Sequence, residues 1–423
     1  MAYVPRIVDS VLDEVFDSLP AIALEGAKGV GKTATAAQRA VTIYELDRVE
    51  QRQLLESDYR RIEDADKPLL LDEWQLLPET WDRVRRSVDS GAQGGSYLLT
   101  GSAAVGPGAH IHSGAGRIVS LVMRPMTIAE RQIESPTVSL SSLLSDRNVV
   151  IDGRTQVRLA DYVNEITCSG YPGIRDLAPR AQRLQLDSYI SRIVERELPE
   201  NGMLVRRPGA LFDWMAAYGL ATSTNASYTA ILNAATAGII DKPARSTVEE
   251  YRDHLRRLFV LDPIPAWTPA LTPLKRLSVA PKHHLVDPAL ACRLARVTGE
   301  EILAGVGIKP IAGTDTFLGA MFESLVTQSV RVYAEATEAT TWHLREQSGN
   351  REIDLIVEGS SGRVVPIEVK LSASVDDKDV KHLNWLHEKL GDRVVNRVVV
   401  NTGEFAYRRK DGVIVVPLAL LGP

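Results

Sequence analysis

The chain contains only two cysteines, Cys168 and Cys292, among its 423 residues. They lie far apart and without neighbouring metal ligands, so neither a disulfide framework nor a zinc site is indicated. A run of about eighteen apolar residues, as a membrane-spanning helix needs, is absent. Residues 1–10 also lack the basic and apolar regions of a secretory signal. We therefore expect a soluble protein of the reducing cytoplasm, with no membrane partner.

The chain also lacks a strong excess of charge of either sign, since its formal net charge is −5. It therefore has no global electrostatic signature of a nucleic-acid-binding protein, and DNA contact would need a local basic face. Apolar residues make up 44% of the sequence, which is ample for packed cores. At about 150 residues per domain, the length predicts two or three domains.

A phosphate-binding loop occupies residues 26–33, whose sequence GAKGVGKT fills every fixed position of G-x-x-x-x-G-K-[ST]. In such a loop the backbone N–H groups surround the phosphates, the lysine adds a positive charge and the final hydroxyl binds Mg²⁺. The apolar segment 21–25 predicts a buried strand before the loop, and 34–40 predicts a helix after it. The residues predicted to bind a nucleoside triphosphate are Gly26, Lys28, Gly29, Val30, Gly31, Lys32 and Thr33.

Two carboxylates, Asp72 and Glu73, follow the apolar segment 68–71. A strand buried in a parallel sheet delivers its C-terminal residues to the ligand edge of that sheet. We therefore predict that Asp72 holds Mg²⁺ and that Glu73 polarises the water that attacks the γ-phosphate. The alternative is an acidic pair that caps the next helix.

Further along, hydroxyl and arginine side chains are candidates for contacts with the γ-phosphate. Thr100 and Ser102 end another apolar segment and are candidate phosphate sensors, although Gly-Ser after a strand is also common in turns. Arg117 and Arg124 flank the next predicted strand. Either arginine is a candidate to stabilise the transferred charge, in its own subunit or in a neighbouring subunit of a homo-oligomer formed through the ATPase domain. A structural salt bridge is the alternative for each.

The segments GAKGVGKT, LLLDEWQ, LLTGSA and GRIVSLVMRPMTIAER follow one another in this order. Together they resemble the bacterial and archaeal AAA-like P-loop ATPases whose C-terminal half has no known function. The resemblance covers nearly the whole chain and implies ATP as the nucleotide. The loop of that family usually begins Gly-Pro-Arg, whereas this chain has Gly26-Ala27-Lys28. The absence of a guanine-reading N-K-x-D motif agrees with ATP.

The middle of the chain is predicted to be helical. A Gly-Tyr-Pro-Gly turn at 170–173 interrupts the helices between 159 and 198, and the resemblance implies a lid or linker there. A capping box at 246–249 begins a helix that suits a winged-helix module. Between 242 and 284 there are eight Lys/Arg, including Lys275 and Arg276, against four acids. This excess suits contact with DNA phosphates, but a solvated helix face gives the same pattern.

The last part of the chain predicts two adjacent strands that carry Asp354, Glu368 and Lys370. Glu368 and Lys370 are two residues apart and therefore share a face of their strand. Charges that project together from apolar strands are costly unless they pair or hold a metal ion. Two carboxylates, Asp354 and Glu368, suit Mg²⁺ or Mn²⁺, and a lysine can orient or activate a water in phosphodiester cleavage.

This arrangement resembles the PD-(D/E)XK nucleases, which often carry a further glutamate on a helix, here Glu323. The predicted helices at 316–335 and 376–390 and the strand at 396–401 complete the order helix, three strands, helix, strand. A structural ion pair, or an intact fold with a dormant site, are the alternatives. Four histidines in this half are interpreted as core or surface residues: His283, His284, His343 and His382.

We thus predict an α/β chain in four parts. They are an AAA-like P-loop ATPase domain with a parallel sheet (1–135), a helical lid or linker (136–205), a winged-helix-like module (206–300) and a PD-(D/E)XK nuclease-like α/β domain (301–423). The predicted function is ATP binding and hydrolysis coupled to a metal-dependent endonuclease that acts on DNA, with ATP and Mg²⁺ as cofactors. The alternative is an ATP-dependent conformational or assembly switch whose nuclease-like domain binds DNA or protein without cutting.

Overall fold

The structure is a computed structural model, and it describes residues 3–102, 114–238, 242–268, 280–305, 311, 316–346 and 349–423. Lys275 and Arg276 of the predicted basic module lie outside these residues. The described strands are β1 (Ala21–Glu25), β2 (Thr42–Glu45), β3 (Leu69–Asp72), β4 (Tyr97–Gly101), β5 (Val119–Val122), β6 (Val138–Ser139), β7 (Thr340–Arg345), β8 (Glu352–Glu358), β9 (Val364–Val369), β10 (Val398–Asn401), β11 (Tyr407–Arg408), β12 (Ile414–Pro417) and β13 (Leu421–Gly422).

The described helices lie between and around these strands, and α16 is the longest of them. They are α1 (Ile7–Val15), α2 (Lys32–Ala37), α3 (Val49–Ser57), α4 (Arg60–Asp64), α5 (Glu79–Asp89), α6 (Leu140–Ser145), α7 (Leu159–Cys168), α8 (Pro172–Arg175), α9 (Pro179–Arg192), α10 (Leu198–Glu200), α11 (Pro208–Leu220), α12 (Tyr228–Ala235), α13 (Arg245–Arg257), α14 (Pro288–Leu294), α15 (Gly299–Leu303), α16 (Phe317–Glu335) and α17 (Asp377–Leu390). Among these helices, none combines the length and apolarity needed to cross a bilayer.

The N-terminal sheet is parallel throughout, with the strand order β2-β3-β4-β1-β5. Strands β3 and β4 are fully buried and β1 nearly so, which explains their continuous apolar sequences. Asp72 pairs with Thr100 at the C-terminal end of this ladder, and Leu24 of β1 also pairs with Thr100. The loop after β1 and the carboxylates after β3 therefore meet at one edge of the sheet, as predicted.

The C-terminal sheet is mixed and has the order β11-β12-β10-β9-β8-β7. Strand β8 pairs in antiparallel fashion with both β7 and β9. Strand β10 pairs in parallel fashion with both β9 and β12. Helix α16 packs near β7 and β8, and α17 packs near β8 and β9. Leu355 pairs with Ile367, so Asp354 and Glu368 are the next positions on the two strands.

Between the two sheets, α11, α12 and α13 are followed by a pair of antiparallel segments. Leu261 bridges Leu285 and Ile264 bridges Lys282, while Ala266 bridges His343 of β7. The segment pair therefore joins the helical middle to the edge of the C-terminal sheet. The four-part division remains a prediction.

The segment 136–158 runs along the C-terminal sheet rather than along the other helices of the predicted lid. Strand β6 pairs with β13, Asn396 donates to the carbonyls of Leu143 and Asp146, and Thr155 donates its N–H to Glu404. A local sequence pattern could not show this, because each contact joins residues more than two hundred positions apart.

Candidate functional site

The phosphate-binding loop adopts a backbone that requires glycine. Gly26, Gly29 and Gly31 have φ values of 146°, 84° and 104°, in the region that side chains other than glycine rarely adopt. A Cβ on Gly26 would lie only 2.1 Å from the carbonyl oxygen of Met123. The loop then leads directly into α2, which begins at Lys32.

Lys32 folds its side chain back over this loop. Its Nζ donates to the carbonyl oxygens of Gly26 at 2.8 Å and Ala27 at 2.9 Å. Burial lowers the pKa of Lys32 to about 8, although Glu73 and Asp72 partly oppose the shift. A polyanion at the loop would supply the negative charge that this buried ammonium lacks.

One carboxylate oxygen of Asp72 accepts hydrogen bonds from two hydroxyl groups. Thr33 Oγ1 donates to Asp72 Oδ1 at 2.7 Å, and Thr100 Oγ1 donates to the same atom. The structure thus brings together Thr33 and Asp72, the hydroxyl and carboxylate predicted to hold Mg²⁺. Oxygen donors of this kind fit Mg²⁺, which binds through one or two protein oxygens together with substrate phosphates.

Glu73 has a separate environment although it is the next residue. Its backbone lies in the left-handed region at φ 54°. Gln75 Nε2 donates to Glu73 Oε2, and Ser102 Oγ lies 3.5 Å from the same oxygen. Sequence reasoning missed Gln75, whose only signal is a polar side chain two positions after the acidic pair.

The two candidate arginines form ion pairs with different surroundings. Arg117 Nε lies 2.9 Å from Asp89 at a largely exposed position. Arg124 is 5% exposed, with Nε 2.7 Å from Asp262 and Nη1 2.6 Å from Glu335. Burial opposes the charge of Arg124, but these two carboxylates outweigh it and raise its pKa. Arg124 thus connects the end of the parallel sheet to the middle and to α16.

Two clefts border the loop. One is lined by Lys28, Gly29 and Ser102, by residues of α9 and of the π-helix Ile193–Glu197 that continues it, and by Leu258 and Val260 of the helical middle. Lys28 Nζ lies 2.8 Å from Glu197, which follows α9. The other cleft is lined by residues including Tyr3, Gly31, Thr35, Pro172 and Arg175.

In the C-terminal sheet a buried ammonium lies among carboxylates. Lys282 Nζ is 2.8 Å from Glu323, 2.9 Å from Asp354 and 3.3 Å from Glu352. Lys282 is only 1% exposed. The sequence placed Lys282 among the basic residues of the middle module, and no local pattern around it marks this contact.

Asp354, Glu368 and Lys370 do lie together. Lys370 Nζ donates to Glu368 Oε1 at 2.9 Å, and the Val369 N–H donates to Asp354 Oδ2 at 2.9 Å. Glu368 Oε2 is buried without a hydrogen-bond partner in the described part of the chain.

Burial and neighbouring charges shift the pKa values of Glu368, Asp354 and Lys282. Burial raises the pKa of Glu368 to about 8, and the charge of Asp354 adds to the effect. Burial opposes ionisation of Asp354, but Lys282 and Lys370 outweigh it and lower its pKa. Burial likewise opposes the charge of Lys282, while Asp354, Glu323 and Glu352 raise its pKa well above the usual value.

The carboxylate oxygens of these side chains mostly have partners within the fold. Asp354 Oδ1 faces Lys282, Asp354 Oδ2 accepts a backbone N–H, and Glu368 Oε1 faces Lys370. Across the described ranges, no three His, Cys, Asp or Glu side chains form a group that could hold a metal ion.

The four histidines bond within the fold. His343 lies 2.9 Å from the Ala280 carbonyl, His283 2.7 Å from that of Ala226 and His382 2.8 Å from that of Glu352. His284 Nδ1 lies 3.4 Å from Ser324 Oγ. His283, His284 and His343 are buried, and His382 is half-buried.

Residues 18–132 match the family model described as an AAA domain. This match supports a P-loop ATPase family. The predicted α/β class and the predicted parallel-sheet P-loop domain at the N-terminus are confirmed. ATP and Mg²⁺ are the generic ligands of such an ATPase. Residues 159–301 and 318–421 match two domains of unknown function, DUF8612 and DUF4143.

Solved structures similar to the chain include the Walker-type ATPase PABY2304 of Pyrococcus abyssi. The two chains are 15% identical over 69% of this chain and 96% of that chain, with a TM-score of 0.42. No curated protein matches the chain.

Proposed function

We propose that this P-loop ATPase is an ATP-dependent conformational switch whose C-terminal domain binds DNA or protein without cutting. The observation that carries the proposal is the cleft beside the phosphate-binding loop. Three parts of the chain line it: the loop itself, the α9 region and the helical middle at Leu258 and Val260. A nucleotide whose phosphate end enters this cleft contacts all three, so its binding energy can favour one of their arrangements over another.

The residue roles follow from the contacts at the edge of the parallel sheet. Lys32 and the loop N–H groups bind the phosphates, and Thr33 with Asp72 holds Mg²⁺, which when bound neutralises phosphate charge. Glu73 orients the attacking water, and Thr100 and Ser102 sense the γ-phosphate. The separate partners of Asp72 and Glu73 support this division.

The second cleft, which is lined by Tyr3 and Gly31, is the proposed position of the adenosine. Its lining combines the start of α2, including Gly31 and Thr35, with Tyr3 and with Pro172 of the Gly-Tyr-Pro turn. A base in this cleft would contact the turn directly. The turn would then act as a lid, as its resemblance implies.

A specific contact can connect ATP to the lid region. Lys28 of the loop is paired with Glu197 at 2.8 Å. A triphosphate on the loop places negative charge beside Lys28 and competes with Glu197 for it. We propose that ATP binding releases Glu197 and moves the segment after α9.

Hydrogen exchange with and without Mg²⁺ and ATP tests the switch. We expect slower exchange in the loop, in the α9 region and around Leu258 in wild type and in Glu73→Gln, which retains bound ATP. The Lys32→Ala variant, which lacks the phosphate-binding ammonium, should show no change. Protection confined to the phosphate-binding loop would disprove coupling while leaving ATP binding intact.

DNA is the partner favoured by local charge, and the basic cleft that favours it lies in the helical middle rather than in the C-terminal domain. A cleft beside α13 is lined by Arg206, Arg207, Lys242 and His254, with Glu250 as the single acid among its described lining residues. Basic side chains in such a cleft can neutralise DNA phosphates, and the resulting affinity falls steeply with salt. The order of α11, α12, α13 and the antiparallel segments supports the winged-helix interpretation.

A metal-dependent endonuclease is the second candidate function. It is favoured by the convergence of Asp354, Glu368 and Lys370 and by the order α16, β7, β8, β9, α17, β10. The test is incubation of the full chain with plasmid and single-stranded DNA in Mg²⁺ or Mn²⁺. Cleavage that is lost in Lys370→Ala, while ATP turnover persists, would establish this candidate. DNA that stays intact under all these conditions supports the non-cutting switch.

A further inference from the structure

Lys282 provides the buried positive charge of the C-terminal cluster, which consists of Lys282, Glu323, Glu352, Asp354, Glu368 and Lys370. Its ammonium is contacted by Glu323 of α16 at 2.8 Å, and by Asp354 at 2.9 Å and Glu352 at 3.3 Å, both of β8. The lysine itself belongs to neither element. It lies on the segment that pairs with residues 261–264 and leads back to the helical middle.

A buried ammonium is costly unless its charge is paired and its protons are bonded. Here carboxylate oxygens from two elements surround one cation, as they would surround a bound metal. Mg²⁺ and Ca²⁺ take carboxylate oxygens at about 2.0–2.6 Å, somewhat closer than the oxygens lie to Lys282 Nζ. In the present arrangement these oxygens are therefore spaced for an ammonium rather than for a divalent ion, and a metal site would form only after the carboxylates moved inward.

We infer that Lys282 is an internal cation that takes the place of a divalent metal in this cluster. The wild-type cluster then binds no metal, and the same ion pairs hold the middle of the chain against the C-terminal sheet. The inference goes beyond the proposed switch, since it concerns the C-terminal cluster and needs no nucleotide.

Lys370 is the natural comparison, because it is the other lysine of the cluster. Its side chain is 31% exposed, and its salt bridge is to Glu368 at 2.9 Å. The side chain of Lys282 is 1% exposed. Removal of Lys282 should therefore leave three carboxylates without their shared counter-ion, whereas removal of Lys370 takes the salt-bridge partner from Glu368 alone.

The test measures Mn²⁺ binding to the full chain without nucleotide. Electron paramagnetic resonance reports the Mn²⁺ that remains free. All proteins carry Asp72→Asn, so that the loop site does not contribute. We expect the parent and its Asp354→Asn derivative to bind Mn²⁺ equally weakly. Lys282→Met should gain a Mn²⁺ site, and adding Asp354→Asn to it should weaken binding on the order of tenfold or more. Lys370→Met should behave like the parent.

Two outcomes would overturn the inference. One is Mn²⁺ binding to the parent that Asp354→Asn removes, because the cluster would then hold a metal with Lys282 present. The other is a folded Lys282→Met protein that gains no Asp354-dependent site. If Lys282→Met does not fold, Lys282→Met combined with Glu323→Gln removes one negative charge and takes its place in the same comparison.

Discussion

Asp72 and Glu73 are adjacent in the chain, but their carboxylates contact different side chains. Asp72 ends β3 and faces the hydroxyls of Thr33 and Thr100. Glu73 turns into the left-handed region, which for a residue other than glycine costs on the order of 1 kcal/mol. That turn takes its carboxylate away from the hydroxyls and towards Gln75. These separate contacts agree with the roles proposed for the two acids, Asp72 at the metal ion and Glu73 at the water.

The proposed roles predict different defects for two substitutions, one in ATP hydrolysis and one in ATP binding. Glu73→Gln should bind ATP as wild type does but hydrolyse it about 100-fold or more slowly, because the amide cannot accept a proton from water. Lys32→Ala should lose ATP binding itself. Calorimetric titration with ATP and a phosphate-release assay measure the two effects. Wild-type hydrolysis rates in both variants would refute these assignments.

At the scale of elements, Arg124 joins three of them. It follows β5, and its partners are Asp262, which lies in the first of the antiparallel segments, and Glu335, at the end of α16. Burial opposes ionisation of Asp262, but Arg124 and Arg331 outweigh it and lower its pKa from 3.8 to about 2. The free energy of this pairing is therefore fully present above pH 3.8 and is lost as the pH falls towards 2.

Substitution of Arg124 should accordingly destabilise the whole chain. We expect Arg124→Ala to lower the free energy of unfolding by about 1.5–3 kcal/mol, the range for hydrogen bonds to charged groups, since Asp262 loses the buried guanidinium but keeps its ion pair with Arg331. Arg117→Ala is the matched control, and its exposed pair with Asp89 should contribute less than about 1 kcal/mol. Urea denaturation at neutral pH compares the two variants. Equal stabilities would mean that Arg124 is not a structural connection.

At the scale of the whole molecule, one apolar cluster extends from the phosphate-binding loop through the helices to the C-terminal sheet, while strands β1, β3 and β4 pack in two other clusters. It includes Val30 of the phosphate-binding loop, Tyr171 of the turn, Trp214 of α11, Phe322 of α16 and Ile367 of β9. Close-packed interiors transmit displacement rather than absorb it. A nucleotide-dependent movement at the loop therefore has a packed route to the C-terminal sheet.

The sequence predicted well those features that depend on local pattern. The loop at 26–33 and the acidic pair after β3 are contiguous motifs, and their strands are apolar because both faces of a parallel sheet are covered. The same holds for the pair Glu368 and Lys370, since alternation along a strand places both on one face. Motif spacing was therefore enough to locate both candidate sites.

The sequence by itself determined the phosphate-binding chemistry, because loop, lysine and hydroxyl are consecutive and fold as one unit. Tertiary structure alone decided what neutralises the C-terminal carboxylates. Lys282 lies 41 positions from Glu323 and 72 from Asp354, and only chain folding brings a buried charge to partners so distant. Likewise, only the fold shows Arg124 between Asp262 and Glu335, since ion pairs of this kind follow no sequence period.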